Sequence, residues 1–446
     1  MKYYLLKFGF YGIKNIKEEI TIDFYKKTID KNFDPSEYKV KSIYGENGTG
    51  KTAIVTAFSI LKKLILNPEY LSDSQTQILL DNLVNKETNE FKLFVEYYSY
   101  YEDDNMVYRY EILVKKKDGL YYISKETLKN KVAKYANATY KSLFEVVEGQ
   151  IVSIDADSTS KEVIKTSTLN LLTKHSMASL LFTVIFTNLK GDISSNLAQS
   201  GISILMFSLC TYTVLNKEDN HSLFSVKKIV EQIKKAEVND KDYQNKVIEQ
   251  IGEIIGTDTQ YVRKELYNQY KKKIENLTSF IQKFKQQLVS IDIDKKDFDA
   301  DNYQVSLKFN YGTCIIDLEF ESSGIKKLVK MYDAISFASA GGIVFIDEFD
   351  ANINSVFFDK IVEYLRDYAK GQTCFTVHNT SSMEVLRYQK QAINFLTNDN
   401  RIINWIKNSH YAPDALYRKG MIEKIPFNIY SSDFIGIFGG DLWENN

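Results

Sequence analysis

Apolar and polar positions alternate over residues 3–24, in YYLLKFGFYGI and again in EEITIDF. That period of two predicts strands. KVKSIY (39–44) is a third short β-prone run, and it ends at a glycine. The period then changes. Ile54, Val55, Phe58, Leu61, Leu64 and Ile65 recur at helical spacing, so 52–66 is predicted to be a helix with one apolar face. Alternation returns in FKLFVEYYSYY, VYRYEILVKK and GLYYISK. The EDDN and KDG turns between them make hairpins of 91–125. The first third therefore reads as a mixed α/β lobe.

From about 160 to 290 helical spacing dominates. Within 258–289, Val262, Leu266, Tyr270, Ile274, Leu277, Ile281, Phe284 and Leu288 form one apolar stripe. A continuous helix there is roughly 48 Å long at about 1.5 Å per residue. It is a helical arm, too few heptads for a long coiled coil. Strand-like runs resume at 304–320. A helix (GIKKLVKMYDAISFASA), the strand GIVFI (342–346), a helix (VFFDKIVEYLRDYA) and the strand TCFTV (373–377) follow. The fully apolar GIVFI and the run TCFTV are of the kind found in a parallel sheet covered on both faces.

Composition adjusts this picture in a few places. A chain of 446 residues has room for several domains, or for one domain with a large insertion. Lys+Arg is 57 and Asp+Glu 58, a net charge of −1, so the chain does not coat nucleic acid or an anionic membrane along its whole surface. Any such contact is local. The densest basic stretch holds Arg263, Lys264, Lys271, Lys272, Lys273, Lys283 and Lys285 against Glu265 and Glu275, and it reads either as a solvated face or as a nucleic-acid contact. Cys210, Cys314 and Cys374 are odd in number and widely spaced, which fits a reducing cytoplasm rather than a disulfide framework. The start, MKYYLLKFGFYGIKN, lacks the pattern of a signal peptide. Ile193 to Asn216 carries no charge and has about the length of a membrane span. Its many Ser, Asn and Gln residues favour a buried helix, so no membrane contact is expected.

Gly45-Glu46-Asn47-Gly48-Thr49-Gly50-Lys51-Thr52 matches GxxxxGK[ST], between a predicted strand and a predicted helix. Glycines let the loop curl so that the N–H groups of Asn47, Gly48, Thr49 and Gly50 face phosphate oxygens, and the helix N-terminus adds positive charge. Lys51 would reach the β- and γ-phosphates of ATP, and the Thr52 hydroxyl would ligate Mg²⁺. Such a loop needs an acid for the metal. Asp347, at the end of GIVFI, supplies it, and Glu348 is placed to polarise the attacking water.

A stretch far longer than one βα unit separates Thr52 from Asp347, so the two ends of the chain build one head around an insertion. That layout resembles the ABC-type ATPase heads of the SMC family. Glu321-Ser322-Ser323-Gly324-Ile325 opens the helix before the acid strand and resembles the ABC signature, with Ser322, Ser323 and Gly324 at its Ser-Gly-Gly core. Glu321 and Ile325 depart from the usual Leu and Gln or Glu. His378 resembles the switch histidine, and Asp350, in DEFDAN, falls at the D-loop. More narrowly, ESSGIKKL, FIDEFD, FTVHNT and the YRYEIL…ISKETL region resemble the OLD-like, AAA-labelled ATP-binding proteins of bacterial anti-phage and abortive-infection systems. Asn354-Ser355 stands where that group often has His-Pro.

The resemblance implies an α/β fold: a P-loop NTPase head of the ABC type with a mixed sheet and an inserted α-helical arm. The expected parts are an N-terminal half-head (1–140), a helical arm or dimerisation region (141–300), and a C-terminal half-head with signature, acid strand and switch histidine (301–446). It implies ATP sandwiched in a homodimer or higher oligomer, with Glu348 and His378 catalytic and with Ser322, Ser323, Gly324 and Asp350 at the nucleotide. The implied role is a phage-defence sensor. Too few residues follow His378 for a nuclease domain, so the effector, a nuclease or toxin, is expected to be a separate protein. The alternatives are a DNA-repair or chromosome-handling SMC-like ATPase, and an ATP-binding scaffold that holds a toxin.

Overall fold

The structure, a computed structural model, describes residues 2–181, 196–215, 261–405 and 412–422, apart from residues 26, 27, 31, 35, 36, 102, 103, 299, 301 and 390. The alternating N-terminal segments become an antiparallel sheet. Its strands are Lys2–Tyr11 (β1), Ile20–Asp23 (β2), Glu90–Tyr101 (β4), Asp104–Lys117 (β5), Leu120–Val132 (β6), Lys141–Val147 (β7) and Gln150–Ile154 (β8), in the order β2-β1-β4-β5-β6-β7-β8. A second sheet contains Val40–Tyr44 (β3), Thr211–Val214 (β9), Ile343–Ile346 (β14), Gln372–Thr376 (β15), Ile393–Leu396 (β16) and Ile402–Asn404 (β17). Its order is β17-β16-β3-β15-β14-β9. All neighbours are parallel except the β16–β17 pair.

The helix Lys51–Leu66 (α1) lies between the two sheets. Nearly all of its residues are buried, because one side meets the antiparallel sheet and the other meets the parallel one. Phe58 stacks on Phe345 of β14 and packs edge-on against Phe8 of β1. Each such side chain contributes roughly 1.5–3 kcal/mol on burial. The uncharged helix Asn196–Leu209 (α4) shares this layer, and the stacking of Phe207 on Tyr97 fixes it there. It is a core helix, and no helix among the described residues is long and apolar enough to cross a membrane. The short helices Ser74–Leu83 (α2) and Ser158–Ser167 (α3) begin at aspartate N-caps, Asp73 and Asp157.

A second core covers the other face of the parallel sheet. It is built by Tyr267–Gln282 (α5), Ser323–Ala340 (α6), Ser355–Asp367 (α7), Ser382–Leu386 (α8) and Pro413–Arg418 (α9). A small sheet joins it, with strands Tyr261–Arg263 (β10), Ser290–Asp297 (β11), Asn302–Asn310 (β12) and Ile315–Asp317 (β13). The fold class is the expected α/β one, with a mixed sheet whose strand β3 leads through the loop 45–50 into α1.

The expected helical stretch 141–300 differs in its described parts. Strands β7 and β8 extend the N-terminal sheet through Ile154, since β7 pairs with β6. Strand β9 completes the parallel sheet beside β14, and β11 pairs with β12. Among the described residues, after a strand at Tyr261–Arg263 and a 3-10 turn at Lys264–Leu266, the stripe expected as one helix over 258–289 is α-helical over Tyr267–Gln282. That is roughly 24 Å rather than 48. Tyr270, Ile274, Leu277 and Ile281 are its buried face. It lies on α6, where Lys273 pairs with Asp333 at 2.9 Å and Phe280 meets Tyr332. Residues 182–195 and 216–260 of the expected insertion are outside the described residues.

Candidate active site

Strand β3 is buried along its whole length, and the chain leaves it through the loop 45–50. Two glycines make that loop possible. Gly48 and Gly50 have φ of 85° and 105°, the left-handed region that side chains avoid. A Cβ on Gly50 would also meet Ile16 and Asn15 at 2.6 and 2.7 Å. Asn15 donates from Nδ2 to the Gly48 carbonyl at 2.7 Å, bracing the loop from the β1–β2 turn. Asn47 and Gly48 are exposed and Thr49 is buried, its hydroxyl donating to the Glu46 carbonyl. Lys51 folds back, donating from Nζ to the carbonyls of Gly45 and Glu46 at 2.6 and 2.9 Å. Burial holds its pKa below the ordinary lysine value, against the carboxylates of Asp347, Asp350, Glu348 and Glu46, which favour the charged form. Thr52 is half-buried in the first turn of α1.

The acid turn follows β14, separated from β3 by β15. Parallel pairing brings the carboxyl ends of β3, β15 and β14 to one edge, the usual ligand edge of such a sheet. Asp347 is 2% exposed and accepts from the Thr376 hydroxyl at 2.7 Å. The same hydroxyl accepts from the Glu348 N–H at 2.8 Å. Glu348 has φ 47°, an uncommon value for a side-chain-bearing residue. Its carbonyl accepts from Lys327 Nζ at 2.7 Å and from the Ala351 N–H at 3.0 Å. The strained backbone is therefore fixed from three sides. Asp350 does not point outward from the turn. Its Oδ2 accepts from the N–H groups of His378 and Asn379 at 3.0 and 2.6 Å. The His378 residue itself is exposed.

Ser322 caps α6, accepting from the Ile325 N–H at 3.3 Å, and both Ser322 and Ser323 are exposed. Gly324 is half-buried, and a Cβ there would meet the Ser322 Oγ at 4.0 Å. Among the described residues no hydrogen bond or ion pair joins these three to the phosphate loop. Lys51, Asp347, Glu348 and Asp350 thus come together, while Ser322 and Ser323 face solvent at a helix N-terminus beside the half-buried Gly324. Lys327, one turn into the same helix, ties it to the acid turn.

The oxygen donors Thr52 and Asp347 suit a hard divalent cation such as Mg²⁺. Among the described residues no group of three His, Cys, Asp or Glu side chains could hold a metal. An ion at this site would take its remaining oxygens from phosphate and water.

The sequence reading missed Thr376, Lys327 and Asn15. Thr376 had a signal, a hydroxyl at the end of a fully buried strand just before His378. The basic cluster also changes. Arg263 pairs with Glu265, Lys264 with Asp297 and Lys273 with Asp333. Lys285 lies 5.9 Å from the Tyr311 ring centroid. Lys271, Lys272 and Lys283 remain exposed outside ion pairs among the described residues.

No protein-family model matches the chain, and no curated protein matches it. Solved structures resemble it in broad architecture. An SMC head bound to the C-winged helix domain of ScpA has TM-score 0.40 and 11% identity, covering 90% of this chain and 98% of the other. The SMC head domain from Thermotoga maritima has TM-score 0.30 and 12% identity, covering 90% and 99%. The recombination mediator RecF with ATPγS has TM-score 0.31 and 12% identity, covering 91% and 99%.

Proposed function

We propose that this chain binds and hydrolyses ATP as an ABC/SMC-type ATPase and works as a pair of heads. The observation that carries this reading is the meeting of Lys51 with Asp347, Glu348 and Asp350 at one sheet edge, below a loop of left-handed glycines. Lys51 now satisfies two loop carbonyls, and it would exchange them for β- and γ-phosphate oxygens. Thr52 and Asp347 would hold Mg²⁺, which when bound neutralises charge on the phosphates. Glu348 orients the attacking water and takes its proton. His378 follows β15 at the same edge and supplies a donor to the γ-phosphate. The exposed α6 N-terminus at Ser323 and Gly324 has no phosphate to bind within its own head, which supports a second head as its partner.

Sequence resemblance alone supports the narrower reading, a phage-defence sensor that gates a separate nuclease or toxin. The SMC-like repair ATPase would need a basic channel. The loss of Arg263, Lys264 and Lys273 to ion pairs weakens the cluster that could form one.

ATP binding and turnover of three proteins test the reading. Wild type should hydrolyse ATP. Lys51→Ala should lose binding, since breaking such charge-assisted contacts costs roughly 2–5 kcal/mol. Glu348→Gln should bind but turn over about 10²–10⁴-fold more slowly. Unchanged binding by Lys51→Ala would overturn the assignment.

A further inference from the structure

The acid turn carries three carboxylates, Asp347, Glu348 and Asp350. Two lysines from different helices face them, Lys51 from α1 and Lys327 from α6. In the reaction proposed above Lys51 goes to the phosphates, so Lys327 is the cation that stays with the turn. Asp350 sharpens the need for one, because its Oδ1 is buried with no hydrogen-bond partner among the described residues. A carboxylate taken out of water without compensation is costly.

Lys327 is 8% exposed. Burial holds its pKa below the ordinary lysine value, against the carboxylates of Glu348, Asp350 and Asp347, which favour the charged form. Its Nζ donates to the Glu348 carbonyl at 2.7 Å. Among the described residues no hydrogen bond joins it to the phosphate loop. The same peptide is also held from the far side. The Phe349 N–H donates to the Thr376 carbonyl at 2.9 Å. The Phe349 ring is fully buried, with its centroid 5.3 Å from that of Phe358 and 5.1 Å from that of Phe375. The peptide 348–349 is thus clamped between α6 and β15. The clamp matters because Glu348 sits at φ 47°, and such a backbone persists only where its surroundings over-determine it. Releasing the carbonyl frees the turn to relax and re-aims the Glu348 carboxylate.

On the reading of this chain as a paired-head ATPase, we propose that Lys327 is a positioning residue for hydrolysis. It aims the Glu348 carboxylate of its own head, although it rides on the helix whose N-terminus, at Ser323, would serve the nucleotide of the other head. One helix then contributes to both sites of a pair: its first turn to the partner's site and its second turn to its own.

Lys327→Met keeps the length of the side chain and removes its charge. It should bind ATP with the wild-type affinity and KM. Its kcat should fall on the order of 10²-fold, the cost of displacing a catalytic group by about 1 Å. A mixed pair separates this from a structural role. The reference pair joins Ser323→Arg, which keeps its phosphate loop, to Lys51→Ala, which keeps its signature helix. It has one complete site, and that site uses Glu348 of the Ser323→Arg chain. Lys327→Met added to the Ser323→Arg chain should lower ATP hydrolysis by the same factor. The fall should be confined to that placement, because in the Lys51→Ala chain Lys327 aims a Glu348 whose site is already dead. A fall in both placements, or with the Lys51→Ala chain alone, assigns the lysine to the signature helix or to the fold and overturns the proposal. Hydrolysis that survives both placements overturns it too. A reference pair that exchanges subunits yet shows no activity contradicts the paired-head reading itself, and this inference falls with it. Should Lys327→Met lose its far-UV circular dichroism, Lys327→Gln carries the same test.

Discussion

Replacing Thr376 by valine should disable the acid turn with almost no change in side-chain volume. Thr376 is fully buried, and valine has nearly its volume. The hydroxyl donates to the Asp347 carboxylate at 2.7 Å and accepts from the Glu348 N–H at 2.8 Å. Valine removes both bonds from a site that water does not reach. A hydrogen bond to a charged group contributes about 1.5–3 kcal/mol, and an orphaned buried donor costs about 1–3 kcal/mol. Partial relaxation keeps the sum near 3–4 kcal/mol of stability. Thr376→Ser keeps the hydroxyl and loses one methyl group, which costs about 1 kcal/mol. Glu348 also loses one of the contacts that hold its φ of 47°, and a displacement of about 1 Å in a catalytic group can cost on the order of 10² in rate. Denaturant unfolding and single-turnover ATP hydrolysis of the two variants are the assay. The valine variant should be less stable and much slower than the serine variant, with nucleotide still bound. Equal stability and equal rates would refute the bridging role of Thr376.

Two further outcomes follow from particular contacts. Glu126 is fully buried and accepts from Tyr110 and from the N–H groups of Met177 and Ala178. Burial, opposed by these bonds, raises its pKa from 4.5 to about 7. The folded state thus holds a proton that the unfolded state releases. The stability from this group is complete below pH 4.5 and is lost as the pH rises through about 7. Denaturation curves across that window should show Glu126→Gln with a flatter pH slope than wild type; an identical slope refutes the protonated carboxyl. Charge reversal should also split the basic cluster. Lys271→Glu with Lys272→Glu should leave stability within about 0.5 kcal/mol of wild type. Lys273→Glu faces Asp333 on α6 and should destabilise clearly more. Equal melting shifts would show that the Lys273 pair does not brace α5.

The phosphate loop and the acid pair were legible because each is a contiguous motif flanked by the right periodicity. Strands β3, β14 and β15 were legible as short β-prone runs, and β14, IVFI, is apolar throughout. The bracing of the site was not, because it is non-local. Thr376, Lys327 and Asn15 act on residues from other elements, and nothing in their own neighbourhood marks the partner. Strands β7 and β8 escaped notice because they are short and lie where the chain was read as turning helical. In β11, SIDIDKKD, the outward acids and lysines dilute the alternation. The helical stripe overran its helix for a different reason. Val262 enters the core from a strand and Leu288 from the turn after α5. Both fall at helical spacing without helical backbone, and periodicity alone does not register the break.

The composite ATP site is tested most directly by mixing two inactive proteins and measuring ATP hydrolysis. Ser323→Arg places bulk at the exposed N-terminus of α6 and should block pairing while each head still binds ATP. Lys51→Ala keeps its signature helix but loses its phosphate loop. In a mixed pair, one site joins an intact loop to an intact signature, and the other carries both defects. Partial recovery of activity on mixing, absent from either protein alone, is the predicted result. Subunits that exchange, as shown by co-purification of differently tagged chains, with activity still at the level of the single variants, would contradict a site shared between two heads.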